Sequence, residues 1–134
     1  MKTIALIEKG KDGMYTIFTP KIKSFILGIG NTVQEAISDF ENSVKEIKEA
    51  YSENNDKLPD ELVNITFEYK YDMASFFNYF DWINVSKFSK RAKINGSLMH
   101  QYKAGTYISQ KQVAKIEHTL HELGREILGV KLTV

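Results

Sequence analysis

The chain has 134 residues, a formal net charge of +1, 43% apolar and 26% charged residues, and no cysteine. These are the proportions of an ordinary soluble globular protein. They exclude disulfides and thiolate metal sites, and no apolar run approaches the ~18 residues of a membrane span. The expected location is the cytoplasm. The near-neutral total hides an asymmetry. Residues 1–71 carry nine Lys against twelve Asp and Glu, leaving −3, whereas residues 72–134 carry nine Lys and Arg against five acids, leaving +4. Two modules with different partners are expected, 1–71 and 72–134.

Thr3–Glu8 (TIALIE) and Met14–Thr19 (MYTIFT) are rich in β-branched and aromatic residues and read as strands, with Lys11-Asp12-Gly13 as the turn between them. Pro20 ends the second, and Ser24–Ile29 (SFILGI) makes a third. Gly28-x-Gly30-Asn31 then reads as a break in the sheet. Thr32 and Glu35 form a capping box, in which hydroxyl and carboxylate satisfy orphan amides of the next helix. Val33, Ile37, Phe40, Val44, Ile47 and Tyr51 follow at 4-3-4-3-4 spacing, an apolar stripe expected to pack on the sheet. A polar loop, Ser52–Asp60, leads to Val63–Tyr71 (VNITFEYKY), which alternates as a strand with Val63, Ile65, Phe67, Tyr69 and Tyr71 on one face. The first module is thus expected to be a β-β-β-α-β sheet with one covering helix.

From Asp72 the pattern becomes helical, which makes the fold class α+β with an all-α second domain. Asp72 caps an aromatic segment, Met73–Phe80, and two short helices follow at Val85–Ile94 and Gly96–Lys103. Ser109 and Gln112 read as a second box opening a helix with Val113, Ile116, Leu120, Leu123 and Ile127 on one side. Gly129 ends it, and Val130–Val134 (VKLTV) reads as a final strand, whose unpaired edge would seek a sheet or another subunit.

The strongest functional signal lies in Trp82–Ile116, where seven basic residues (Lys87, Lys90, Arg91, Lys93, Lys103, Lys111 and Lys115) occur without one Asp or Glu over 35 residues. One sign of charge on a helix pair is the footprint of a phosphate-binding surface. Catalysis has little support. The first module shows no convergent carboxylates for two-metal nuclease chemistry, and Gly28-x-Gly30 lacks the Lys and third Gly of phosphate-binding loops. His118 and His121 read as surface residues of a charged helix. No cofactor is expected.

Residues 85–105 resemble, without a gap, the helix-turn-helix of Xre/Cro-type repressors. Phe88-Ser89 stands where that family has Leu-Ala, Ile94 and Met99 at its apolar anchors, Lys93 at its turn glycine, and Gly105 at the end of its recognition helix. The resemblance implies that Gly96, Ser97, His100 and Gln101 face base edges, that Asn95 caps the helix against a phosphate, and that Lys103 reaches the backbone. Lys87 and Lys111 are also expected to meet phosphates, and two half-sites imply a homodimer at least.

The first module, with its short strands, Pro20, Gly28-x-Gly30-x-Thr32-x-x-Glu35-Ala36 and a long amphipathic helix, resembles HicB-type antitoxins. That family places a partial RNase H-like domain before a DNA-binding module. This resemblance implies a non-enzymatic protein that neutralises a HicA-like RNA-cleaving toxin and represses its own operon by binding operator DNA. The alternative is a stand-alone helix-turn-helix regulator whose first domain senses a ligand or assembles subunits.

Overall fold

The fold is described from a computed structural model covering residues 1–134. The chain forms two compact units, Met1–Tyr79 and Phe80–Val134.

In the first unit, β1 (Lys2–Lys9), β2 (Tyr15–Phe18), β3 (Leu27–Gly30) and β4 (Thr66–Tyr71) make one sheet in the order β3-β2-β1-β4. β1 pairs antiparallel with β2 and parallel with β4. The parallel pairing needs a crossover, and α1 (Val33–Glu53) supplies it. Its stripe meets alternate residues of the strands: Ala5, Ile7, Tyr15, Ile17, Val33, Ala36 and Phe40 are buried, with Ile37, Val44 and Ile47 packed around them. Thr32 Oγ1 accepts from the Glu35 amide at 3.1 Å. The Glu35 carboxylate reaches past the cap to the Asn31 amide, at 2.8 Å.

Gly28 and Gly30 do not break the sheet; they are in β3, facing α1. A Cβ on Gly28 would lie 2.4 Å from the Phe40 nitrogen, and one on Gly30 2.5 Å from that of Ala36. Close helix approach, rather than turn geometry, requires these glycines. The outer edge of β3 is closed by α1 as well. The Ile29 amide donates to Asp39 Oδ2, and the Leu27 carbonyl accepts from Ser43 Oγ, both at 2.8 Å. An edge satisfied in this way cannot recruit another strand.

Two strands are shorter than their sequence patterns. Ser24–Ile26 precedes β3 as a loop because its polar groups are taken elsewhere. Thr19 Oγ1 donates to the Ser24 carbonyl and accepts from the Ile26 amide. The Glu61 carboxylate accepts from the Lys23 amide and from both the amide and hydroxyl of Ser24. Those Ser24 bonds hold the Glu61 carboxyl below its usual range. Glu61 lies in a short 3-10 turn, Asp60–Leu62. Asn64, at φ 53°, then re-aims the chain, so β4 starts at Thr66 and Val63 is exposed rather than on the buried face.

The far side of the sheet carries no helix of this unit. Leu6, Phe18 and Leu27 lie in cross-strand register there. Phe25, beside Phe18, is 66% exposed and Ile29 44%.

The division between units falls eight residues later than the sequence pattern suggests. The aromatic helix α2 (Met73–Tyr79) belongs to the sheet. Asp72 caps it through the Ser75 amide at 2.7 Å, and Ser75 Oγ accepts from the Lys9 amide at 2.8 Å. The Tyr79 ring meets Tyr15 edge-on and stacks on Tyr71. The change in composition at Asp72 marks a change of secondary structure, not the end of a packing unit.

The second unit consists of α3 (Val85–Ala92), α4 (Gly96–Lys103) and α5 (Gln110–Leu128). Phe88, Ala92, Ile94, Met99, Tyr102 and Ile116 form its buried interior. Val130–Val134 is not a strand: it is irregular and exposed, because no strand of its unit is there to pair with it.

Candidate nucleic-acid interface

The α3–α4 pair is fixed by local chemistry at each end. Asn84 Oδ1 accepts from the Lys87 amide at 2.9 Å and starts α3. At its end Lys93 adopts the left-handed conformation, φ 57° and ψ 42°. The Lys93 amide bonds the Lys90 carbonyl and the Ile94 amide the Ser89 carbonyl, which is the paired closure of a Schellman motif. A lysine thus stands where glycine is the usual solution. Lys115 Nζ donates to the Lys93 carbonyl at 3.1 Å, tying this turn to α5. Asn95 then opens α4, its Oδ1 accepting from the Leu98 amide at 3.2 Å.

Ser89 lies beneath the start of α4 and is 2% exposed. Its hydroxyl donates to the Ser86 carbonyl at 2.7 Å, which satisfies a polar group in an otherwise apolar contact. Met99 and Tyr102 turn inward, and Ser97, His100 and Gln101 remain exposed. Positions i, i+3 and i+4 share one side of a helix. Three hydrogen-bonding side chains therefore line the outer side of α4. Gly96 is half-buried, and Lys103 is exposed in the last turn.

Lys87 stands on the first turn of α3 and Lys111 on the first turn of α5, both exposed. They flank α4 in sequence. His100 is less independent than its exposure suggests, since its Nε2 lies 3.4 Å from Ser86 Oγ on α3. Two of the seven basic residues already have partners within the unit: Lys115 on the Lys93 carbonyl, and Arg91 in an ion pair with Glu126. Lys87, Lys90, Lys93, Lys103 and Lys111 remain as exposed cations. The Arg91–Glu126 pair, 35 residues apart, had no local sequence signal.

The second box differs from its sequence reading. Ser109 Oγ accepts from the Gln112 amide, but the Gln112 side chain donates to Tyr102 Oη instead of reaching back to the cap. That bond ties α5 to α4. His118 faces Glu122 at 2.9 Å on the exposed side of α5.

In the first unit the Glu8 carboxyl lies beside that of Asp72, at the adjacent ends of parallel strands. The Glu8 carboxyl is pushed above its usual range by burial first, then by the Asp72 charge and their mutual hydrogen bond. No helix of either unit is long and apolar enough to cross a membrane. Comparison of the chain with protein-family models, curated proteins and solved structures gives no match.

Proposed function

We propose that this chain is the antitoxin of a type II toxin–antitoxin pair, a non-enzymatic cytoplasmic protein that also represses its own operon. The second unit acts as a helix-turn-helix. α4 lies in the major groove, with Gly96, Ser97, His100 and Gln101 toward base edges and Asn95 at a phosphate. Lys87, Lys103 and Lys111 contact the DNA backbone. Two copies engage two half-sites. The observation that carries this reading is the exposed Ser97–His100–Gln101 side of α4, capped at Asn95, within a stretch, Trp82–Ile116, that has seven basic residues and no Asp or Glu.

The first unit, read as a partial RNase H-like fold of the HicB type, occludes a HicA-like toxin stoichiometrically. What supports a protein-binding role is the uncovered apolar side of its sheet, with Phe25, Leu27 and Ile29 exposed. The same surface would also suit a stand-alone regulator that uses its first unit for assembly.

Co-expression with the open reading frame beside its gene separates the two. The antitoxin reading expects a short basic protein that co-purifies with this chain and arrests growth when expressed alone. If the neighbour is harmless and does not co-purify, the toxin role fails. Titration of full-length protein on upstream and random duplexes tests the DNA role independently. Equal affinity for both at every salt concentration would refute sequence-specific repression.

A further inference from the structure

β4 ends the sheet on the side away from β3. The β3 edge is closed by Asp39 and Ser43 of α1, but only β1 runs alongside β4. The Thr66 amide donates to the Met1 carbonyl, and the two strands are parallel. In a parallel ladder a residue turns both its backbone groups to one neighbour, and the next residue turns both away. Thr66, Glu68 and Lys70 therefore bond β1, and the amides and carbonyls of Phe67 and Tyr69 point outward from the sheet. The register along β1 is continuous, and the six residues of β4 include no proline. An edge with no bulge, proline or covering helix is open to extension by another strand.

The side chains of β4 select what extends it. Phe67 and Tyr69 lie on the α1 side, their rings edge-on to Phe40. Alternation places Glu68 and Lys70 on the helix-free side. Both are about half exposed, and they bridge each other at 3.8 Å. β4 thus carries one acid and one base, placed symmetrically before and after Tyr69.

We infer that β4 pairs antiparallel with β4 of a second copy, about a two-fold axis at Tyr69, joining two four-stranded sheets into one of eight strands. Tyr69 then faces Tyr69 of the other copy, and their outward backbone groups exchange two hydrogen bonds. One residue to either side, Glu68 of each copy falls opposite Lys70 of the other. These are non-hydrogen-bonded positions, where opposed Cα atoms approach to about 4.5 Å and side chains come closest. Opposite charges meet there twice, and on the α1 side Phe67 falls opposite Tyr71. This charge match favours a second copy over an unrelated strand, because β4 is complementary to itself read backwards. A two-fold contact is isologous, so one edge serves both copies. A single pair of short strands is a small interface, and the dimer belongs in the micromolar range.

The contact needs neither DNA nor toxin, so it stands or fails separately from the function proposed above. Sedimentation of the full-length protein should show dimers forming between tens and hundreds of micromolar. Glu68→Lys and Lys70→Glu each set like charges opposite one another twice, and each should raise the dimer dissociation constant at least tenfold. Mixing the two variants restores opposite charges across the axis. The mixture should dimerise although neither variant does alone, a rescue that misfolded chains would not give. The chain has no cysteine, so Glu68→Cys mixed with Lys70→Cys reports the register. Mild oxidation should link the two variants to each other far faster than either to itself, because a disulfide requires Cα atoms within ~7 Å. A wild type still monomeric at hundreds of micromolar would leave β4 to some other strand and overturn the inference. So would charge variants that dimerise as tightly as wild type, a mixture of them that stays monomeric, or cysteine variants that cross-link without preference.

Discussion

The Gly28 α-carbon is pressed against the backbone of α1 at Phe40, so closely that an added Cβ would stand 2.4 Å from the Phe40 nitrogen and 2.6 Å from the Ala36 carbonyl oxygen. Both neighbours are backbone atoms, which no change of rotamer can move. Gly28→Ala must therefore lift α1 from β3, loosening Phe40, which is fully buried and edge-on to Phe67. We expect a loss of about 2–3 kcal/mol, the upper range for overpacking. Urea unfolding of full-length protein measures it, and a change below about 0.5 kcal/mol would contradict so close an approach.

A second prediction concerns Glu8 and pH. Its folded-state carboxyl titrates above the ordinary 4.5, by burial and then by Asp72. Below that ordinary value both folded and unfolded chains hold the proton, and the group contributes nothing. As pH rises through the window up to the raised value, the folded chain keeps a proton that the unfolded chain has lost, so stability falls. Glu8→Gln removes this cost. Its melting temperature should match wild type near pH 4 and exceed it at pH 7; a constant difference across that range would refute the assignment.

Lys93 offers a stability test in the second unit. Its left-handed backbone strains a residue with a Cβ, whereas the bonds that close the turn are all made by backbone groups. Lys93→Gly should accordingly stabilise by about 0.5–1 kcal/mol, and Lys93→Val should destabilise by at least as much. Chemical denaturation of the two variants gives the answer, with opposite signs expected.

If α4 reads bases as proposed, Gln101 and Lys103 should differ in kind. Gln101→Ala should cost about 1–3 kcal/mol on the operator and little on random DNA, because only a base contact is lost. Lys103→Ala should weaken both duplexes alike and flatten the salt dependence by about one unit of slope. Affinity titrations against salt separate these patterns. Unchanged discrimination by Gln101→Ala would show that another side of α4, or another helix, faces the groove.

Periodicity and caps were enough to read the α+β class, the four sheet strands, α1 and its buried stripe, and the helix starts at Thr32, Asp72 and Ser109. These are local signals, since a cap, a turn or a repeat involves residues a few positions apart. The exposed group on α4 was anticipated through the helix-turn-helix resemblance. The left-handed turn at Lys93 could be anticipated only through the family resemblance, because lysine itself gives no such signal.

What depended on distant parts of the chain could not be read locally. Gly28-x-Gly30 suggests a turn until α1 lies across it, and the aromatic α2 looks like the start of a helical domain until Tyr79 meets Tyr15 and Tyr71. Val130–Val134 has the alternation of a strand but no strand beside it within its unit. Arg91 and Lys115 count as free positive charge until Glu126 and the Lys93 carbonyl are brought to them. The sequence by itself determined which elements form and which of their sides are apolar. Only the tertiary structure decided which glycines are crowded, which charges are already satisfied and which apolar residues remain uncovered, because each of these depends on what another part of the chain places alongside.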